Sequence, residues 1–278
     1  NGDAMVWGRI TEKGSPVEGA RIKVNGGVTL YFGAEWVPDS NRFETSNNGL
    51  FAVLVKQGGW TPLAIETRKR VSFSVHSWVE PGRVTQVWPE CPTGTQSISL
   101  RTFDAFSGDP VASFVDLDSI PQSLDIGSSG VELVDLPNSR DIHFVKARSS
   151  SEFEPVLMTY SLLQDYLHIP LIRRNWLNDL RMKIPSRDFD QTGTLVGFVQ
   201  GDDFIVEFKN STLQKNTVYF NSKGEIQSVG SAGGGFAVFG LDDRIRNLTV
   251  VSRRTGQKIG RIVTPSSDFV QVLTVPFE

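Results

Sequence analysis

Short runs rich in Val, Ile, Phe and Thr recur along the whole sequence, each closed within a few residues by Gly, Pro, Asn or Ser. Examples are Ala20–Val24, Leu50–Val55, Val71–Val75, Gln96–Leu100, Asp141–Val145, Phe204–Phe208, Gly235–Phe239 and Val270–Val275. The breaks between them carry turn chemistry: Asn25-Gly26-Gly27, Asn47-Asn48-Gly49, Ser107-Gly108-Asp109-Pro110 and Ser222-Lys223-Gly224. Glycine supplies positive φ in such turns and proline presets a negative one. Many short strands with frequent turns predict an all-β chain of sandwich or barrel type. With 278 residues, there is material for two or three compact domains.

One stretch departs from this period. Between Pro170 and Pro185, the apolar residues Ile172, Trp176, Leu177, Leu180 and Ile184 fall at helical spacing, with Arg173, Arg174, Asn178 and Arg181 between them. The pattern predicts a helix of about three turns from Pro170 to Ile184. A lone short helix is marginal in water, so its apolar stripe is expected to lie on a sheet as a brace between modules.

The strand pattern also repeats. Gly8-Arg9-Ile10 leads through a turn into Pro16-Val17-Glu18-Gly19-Ala20-Arg21-Ile22, and Thr45 to Val53 reads as turn then strand. A looser version runs from Asp104 through Pro110-Val111 to Ser128-Ser129-Gly130-Val131. A third begins at Gly193 and continues to Val218-Tyr219-Phe220 and Gly235-Phe236-Ala237-Val238, without the Pro-Val-x-Gly-Ala string. Repetition at this scale signals tandem modules. Through Gly8, Ile10, Gly14, Pro16, Val17, Gly19, Ala20, Ile22, Thr45, Gly49 and Phe51, the first copy resembles the carboxypeptidase regulatory-like domain. That family is a prealbumin-like (transthyretin-like) β-sandwich. The resemblance covers the first 60 residues or so and implies about seven strands per module in two sheets. It also implies an accessory or structural role on secreted and surface bacterial proteins, with no catalytic residues. The expected division is 1–92 as a prealbumin-like sandwich, 93–168 as a degenerate one, 169–188 as a helical linker and 189–278 as a third sandwich.

Chemistry is scarce. Only His76, His143 and His168 supply imidazoles, and no Gly-x-Ser-x-Gly elbow occurs. Gly230-Ser231-Ala232-Gly233-Gly234-Gly235 lacks the Lys-Ser/Thr of a phosphate cradle. The lone Cys91 permits no internal disulfide and sits in a Pro-flanked loop as a bystander thiol. Asp188-x-Asp190-x-Thr192-Gly193 begins like a calcium loop, but Val199 occupies the position where a bidentate Glu is required. Asp202–Asp203 and Asp242–Asp243 read as turn acids. No enzyme activity, cofactor or metal is expected.

A formal charge of −3 gives no reason to favour nucleic acid, and no apolar run is long enough to span a bilayer. The chain opens on Asn1, which reads as a trimmed form. A secreted, cell-surface or periplasmic location follows as an expectation. Aromatics are the suggestive feature, since five of the six Trp fall in the first 88 residues. If exposed, Trp36, Trp60, Trp78 and Tyr31 would form a binding surface for a protein partner, a further copy of the chain, or a glycan. The expected function is non-enzymatic assembly or adhesion, with carbohydrate binding as the alternative.

Overall fold

A computed structural model describes residues 3–56, 59–69, 71–120, 123–138, 142–161, 165–184, 192–208, 211–241, 246–263 and 266–277. Strand accounts for 56% of these residues and helix for 5%, so the chain is all-β. The sequence from Asp188 to Gln191 and the pair Asp242–Asp243 lie outside the described residues.

The first sandwich uses β1 (Ala4–Arg9), β2 (Thr11–Glu12), β3 (Ser15–Pro16), β4 (Arg21–Lys23), β5 (Gly27–Tyr31), β6 (Leu50–Val55), β7 (Gly59–Glu66), β8 (Ser72–Val79) and β9 (Val84–Val87). One layer is a four-stranded sheet in the order β5-β6-β1-β9, and the other is β4-β7-β8. Their inner faces meet in a core that includes Val6, Phe51, Val53, Leu63, Ile65 and Phe73. Alternation along β1 sets which side each residue takes: Ala4, Val6 and Gly8 are buried, while Met5, Trp7 and Arg9 are half-exposed.

Gly8 has a specific steric reason. A Cβ there would stand 2.4 Å from the carbonyl oxygen of Val87 and 2.9 Å from the ring of Phe51. The parallel pairing of β1 with β9 is close because this residue has no side chain. Gly8→Ala should therefore cost about 1–3 kcal/mol, as overpacking does. Denaturant unfolding measures this, and an unchanged midpoint would contradict the close approach.

The rest of the chain contributes β10 (Thr95–Asp104), β11 (Ser113–Leu117), β12 (Ser123–Ile126), β13 (Val131–Pro137), β14 (Ile142–Arg148), β15 (Val156–Ser161), β16 (Tyr166–Leu171) and α1 (Arg174–Arg181). After α1 come β17 (Gly193–Gln200), β18 (Phe204–Phe208), α2 (Ser211–Lys215), β19 (Thr217–Phe220), β20 (Ile226–Gln227), β21 (Gly235–Leu241), β22 (Arg246–Ser252), β23 (Lys258–Val263) and β24 (Val270–Pro276). A nine-stranded sheet runs β12-β11-β14-β15-β24-β17-β21-β19-β20. It crosses the helical segment in sequence, because β15 pairs in parallel with β24, placing Val156 beside Val270. Beside it stand the sheets β13-β10-β16 and β18-β22-β23.

This arrangement explains the sequence of β17 and β21, which are buried along almost their whole length. Leu195, Val199, Phe236 and Val238 enter the core shared with β18 and β22. Val196, Ala237 and Phe239, on the other face, enter the core shared with α1 and β10. Strands covered on both faces read as continuous apolar runs.

The helix is shorter than its apolar spacing predicts. Pro170 and Leu171 belong to β16, where they oppose Phe103 and Asp104 of the long strand β10. Arg173 stays extended at the N-cap, and its guanidinium bonds the buried carboxylate of Asp104. Only beyond it does the chain coil, burying Leu177 and Leu180. The Trp176 ring lies 4.4 Å from that of Phe106 and 5.0 Å from that of Phe220, and its Nε1 donates to the Gly224 carbonyl at 2.8 Å. The second helix, α2, has no counterpart among the expectations.

The internal repeat has a structural counterpart. The Ile10 amide donates to the Gly49 carbonyl, and the Val17 amide donates to Ile10, both at 2.9 Å. Thr102 donates to Gly130 at 2.8 Å, and Val111 donates to Thr102 at 3.1 Å. Both glycines have positive φ, +69° and +64°, and a Cβ on either would fall within 2.6 Å of the carbonyl at Ile10 or Thr102. No other residue fits that corner. Further along, the Val199 amide donates to the Gly234 carbonyl at 2.9 Å, but Gly234 has no positive φ and the corner is not repeated there.

Candidate interaction surface

The pleat that sends Val6 and Phe51 inward leaves an apolar outer face on the β5-β6-β1-β9 sheet. Strand register lines up Val28, Leu54, Met5 and Val84 in one row, and Leu30, Ala52, Trp7 and Gln86 in the next. Val28, Val84 and Trp88 are exposed, while Leu50 and Ala52 are already covered by their surroundings. Trp7 and Trp88 meet edge to face, with centroids 5.6 Å apart. Arg9, opposite Leu50, borders these rows as a charged neighbour. It donates from Nε to the Asn48 carbonyl at 2.7 Å and lies 5.7 Å from the Trp36 ring centroid.

Trp36 borders this face from a tight turn. Gly33 donates to Val37 at 2.9 Å and Trp36 donates to Gly33 at 3.0 Å, while Asn48 Nδ2 holds the Gly33 carbonyl at 2.6 Å. Trp36 itself has φ 65°, a left-handed conformation that is costly for a bulky residue, and its side chain is 57% exposed. The surrounding bonds over-determine the turn and present an indole to solvent above a guanidinium.

The other residues singled out from the sequence are not gathered here. Tyr31 faces inward at 5% exposure, because β5 opposes Tyr31 to the core residue Phe51. Its hydroxyl accepts the Ile22 amide at 2.9 Å, and burial raises its pKa. A ring committed to the core cannot stack on a ligand, which removes Tyr31 from the expected surface. Trp60 and Trp78 oppose each other near the end of the β7–β8 pair, in the opposite layer, and their side chains lie outside the described residues. Cys91 is buried, and burial first, then Glu12 and Glu90, pushes its thiol up to about 11. At neutral pH it is a thiol and a poor nucleophile.

Spacing in sequence does not reveal one further cluster. Asp118 follows β11 and places its carboxylate between two imidazoles, with Oδ2 2.8 Å from His76 Nδ1 on β8 and Oδ1 3.2 Å from His143 Nδ1 on β14. The Phe144 amide donates to Oδ2 at 2.8 Å, and the Asp118 amide donates to the Phe144 carbonyl at 3.1 Å. Burial raises the Asp118 pKa, but His143, His76 and the Phe144 amide outweigh it and hold the carboxyl below its usual value. An Asp–His pair is half of a nucleophilic triad. His143 Nε2 meets no hydrogen-bond partner among the described residues. The cluster links β8 of the first sandwich to β11 and β14 of the nine-stranded sheet. No group of three or more His, Cys, Asp or Glu is placed to hold a metal ion among the described residues. No helix there is long and apolar enough to cross a membrane.

The fold and its surfaces define an all-β chain of stacked sheets. No protein-family model matches the sequence, and no curated protein matches it. Among solved structures it is similar to the Bacillus anthracis TIE protein, with a TM-score of 0.25 and 10% identity over 100% of this chain and 51% of that one. The chain thus spans about half the length of that protein. A streptococcal ancillary pilin gives a TM-score of 0.22 at 10% identity, covering 99% of each chain. The major pilin subunit of Bacillus cereus gives 0.19 at 10% identity, again over 99% of each. Overlap at these scores transfers neither activity nor partner.

Proposed function

We propose that this chain is a non-enzymatic structural and interaction protein of the cell surface or envelope, assembling with a second copy of itself through the outer face of the β5-β6-β1-β9 sheet. The observation that carries the reading is that face: two rows that are apolar but for Gln86, with Val28 and Val84 exposed and Trp88 exposed beside Trp7. Contiguous exposed apolar surface marks an interaction site. The two rows carry no ionic side chain, and Arg9, at their border, is tied to the Asn48 carbonyl and the Trp36 ring. The paired Gly49 and Gly130 corners support tandem carboxypeptidase regulatory-like units at 1–92, 93–168 and 189–278. On this reading the last two are fused through the shared sheet, with 169–188 as a brace.

Lysine on such a face should prevent pairing. The double substitution Val28→Lys and Val84→Lys is expected to convert a dimer to a monomer in sedimentation equilibrium without lowering the thermal midpoint. Unchanged association would reject this face. A second reading, carbohydrate binding at Trp36, is favoured by the strained turn that exposes its indole over Arg9. Binding of a neutral oligosaccharide that Trp36→Ala abolishes, by a chain that stays monomeric, would establish it instead.

A further inference from the structure

A groove of about 860 Å³ lies where the edge strand β16 stands beside the nine-stranded sheet. Tyr166 and His168 project from β16 on one face, alternating with the buried Leu167 and Ile169. Their ring centroids are 4.9 Å apart with the planes tilted by 39°, and Phe103 of β10 stands edge to face with His168 at 6.1 Å. Phe198, Gln200 and Arg261 line the groove as well.

Its charge is one-sided. The chain as a whole is net negative, yet no Asp or Glu lines this groove among the described residues. Elsewhere arginines engage carboxylates, as Arg68 does Glu44, Arg148 does Asp116, Arg173 does Asp104 and Arg254 does Asp202. Arg261 and Arg101 have no carboxylate partner among the described residues. Arg261 Nη1 donates to the carbonyl of its neighbour Gly260 at 3.1 Å. Arg101 Nη2 donates to the Gly108 carbonyl at 3.2 Å, with its guanidinium 5.4 Å from the Phe103 ring centroid.

We infer that this groove binds an acidic oligosaccharide, a short chain of sugar rings bearing carboxylates. Ring C–H faces stack on Tyr166 and His168, hydroxyls meet Gln200, and a carboxylate takes the fork of Arg261 in two parallel bonds. The volume suits a ligand of a few rings, within the range of about 300–1,000 Å³ usual for such sites. An acidic peptide would answer the charge but leave the ring faces without a purpose. This site is independent of the Trp36 face.

Calorimetric titration of the full chain with hexagalacturonate, maltohexaose and hexaglutamate tests it. Hexagalacturonate is expected to bind at least about tenfold more tightly than either of the others. Arg261→Gln and Tyr166→Ala should each weaken it by about tenfold or more, whereas Trp36→Ala should leave it unchanged. Both variants alter solvent-facing side chains and should keep the wild-type thermal midpoint. If either unfolds, Arg261→Lys and Tyr166→Phe replace them, with the lysine variant weakened and the phenylalanine variant retaining affinity. No binding of hexagalacturonate, equal binding of maltohexaose, binding of hexaglutamate as tight or tighter, or wild-type affinity in the groove variants would overturn the assignment.

Discussion

Asp118→Ala should destabilise the chain by about 3 kcal/mol, the scale of losing a buried charge-assisted cluster and stranding its partners. The substitution leaves two imidazoles and the Phe144 amide facing an empty site between the first sandwich and the nine-stranded sheet. The loss should also depend on pH in a defined direction. Because the folded-state pKa of Asp118 lies below its unfolded value, its contribution is complete above the ordinary carboxylate range, near about 3.9. It is lost as pH falls through the lower, folded-state pKa. The stability difference between wild type and Asp118→Ala should thus shrink as pH falls below about 4. Urea unfolding at a series of pH values reads this directly. A difference under about 1 kcal/mol at pH 7 would show that the cluster is incidental to stability.

Trp176→Ala carries the other large effect. The indole packs on Phe106 and Phe220 and supplies the donor for the Gly224 carbonyl, so truncation opens a cavity and orphans an acceptor. A loss of roughly 3–5 kcal/mol is expected, towards the lower end because the ring is only partly buried. Trp176→Phe keeps most of the packing and removes the hydrogen bond, so its cost should be about 1 kcal/mol. Equal, small losses for the two would mean that the helix does not brace the shared sheet.

Local pattern accounts for much of the fold. Leu50–Val55 and Phe204–Phe208 coincide with β6 and β18, because each is mainly apolar and rich in Val, Ile or Phe between turn residues. The helix was legible as a stripe but not in its start, because Pro170 and Leu171 have strand partners on β10 that no local period reveals. The nine-stranded sheet was equally hidden, since the β15–β24 contact joins segments more than a hundred residues apart. The same holds for His76, Asp118 and His143, each alone in sequence and brought together by β8, β14 and the turn after β11. Tyr31 shows a different limit. Its aromatic character suggested a surface role, and only the register opposing it to Phe51 fixes it inside. Trp36 is exposed because a hydrogen-bonded turn places it at positive φ, a conformation that residue preferences argue against.

The central claim is that the outer face of the first sandwich joins two copies of the chain. Light scattering coupled to size exclusion, over a range of protein concentration and with cross-linking of the same samples, measures it most directly. The account predicts a mass rising to that of two chains, and a return to one chain when Val28 and Val84 are both changed to lysine. A single-chain mass at every concentration, with no cross-linked pair, would contradict it.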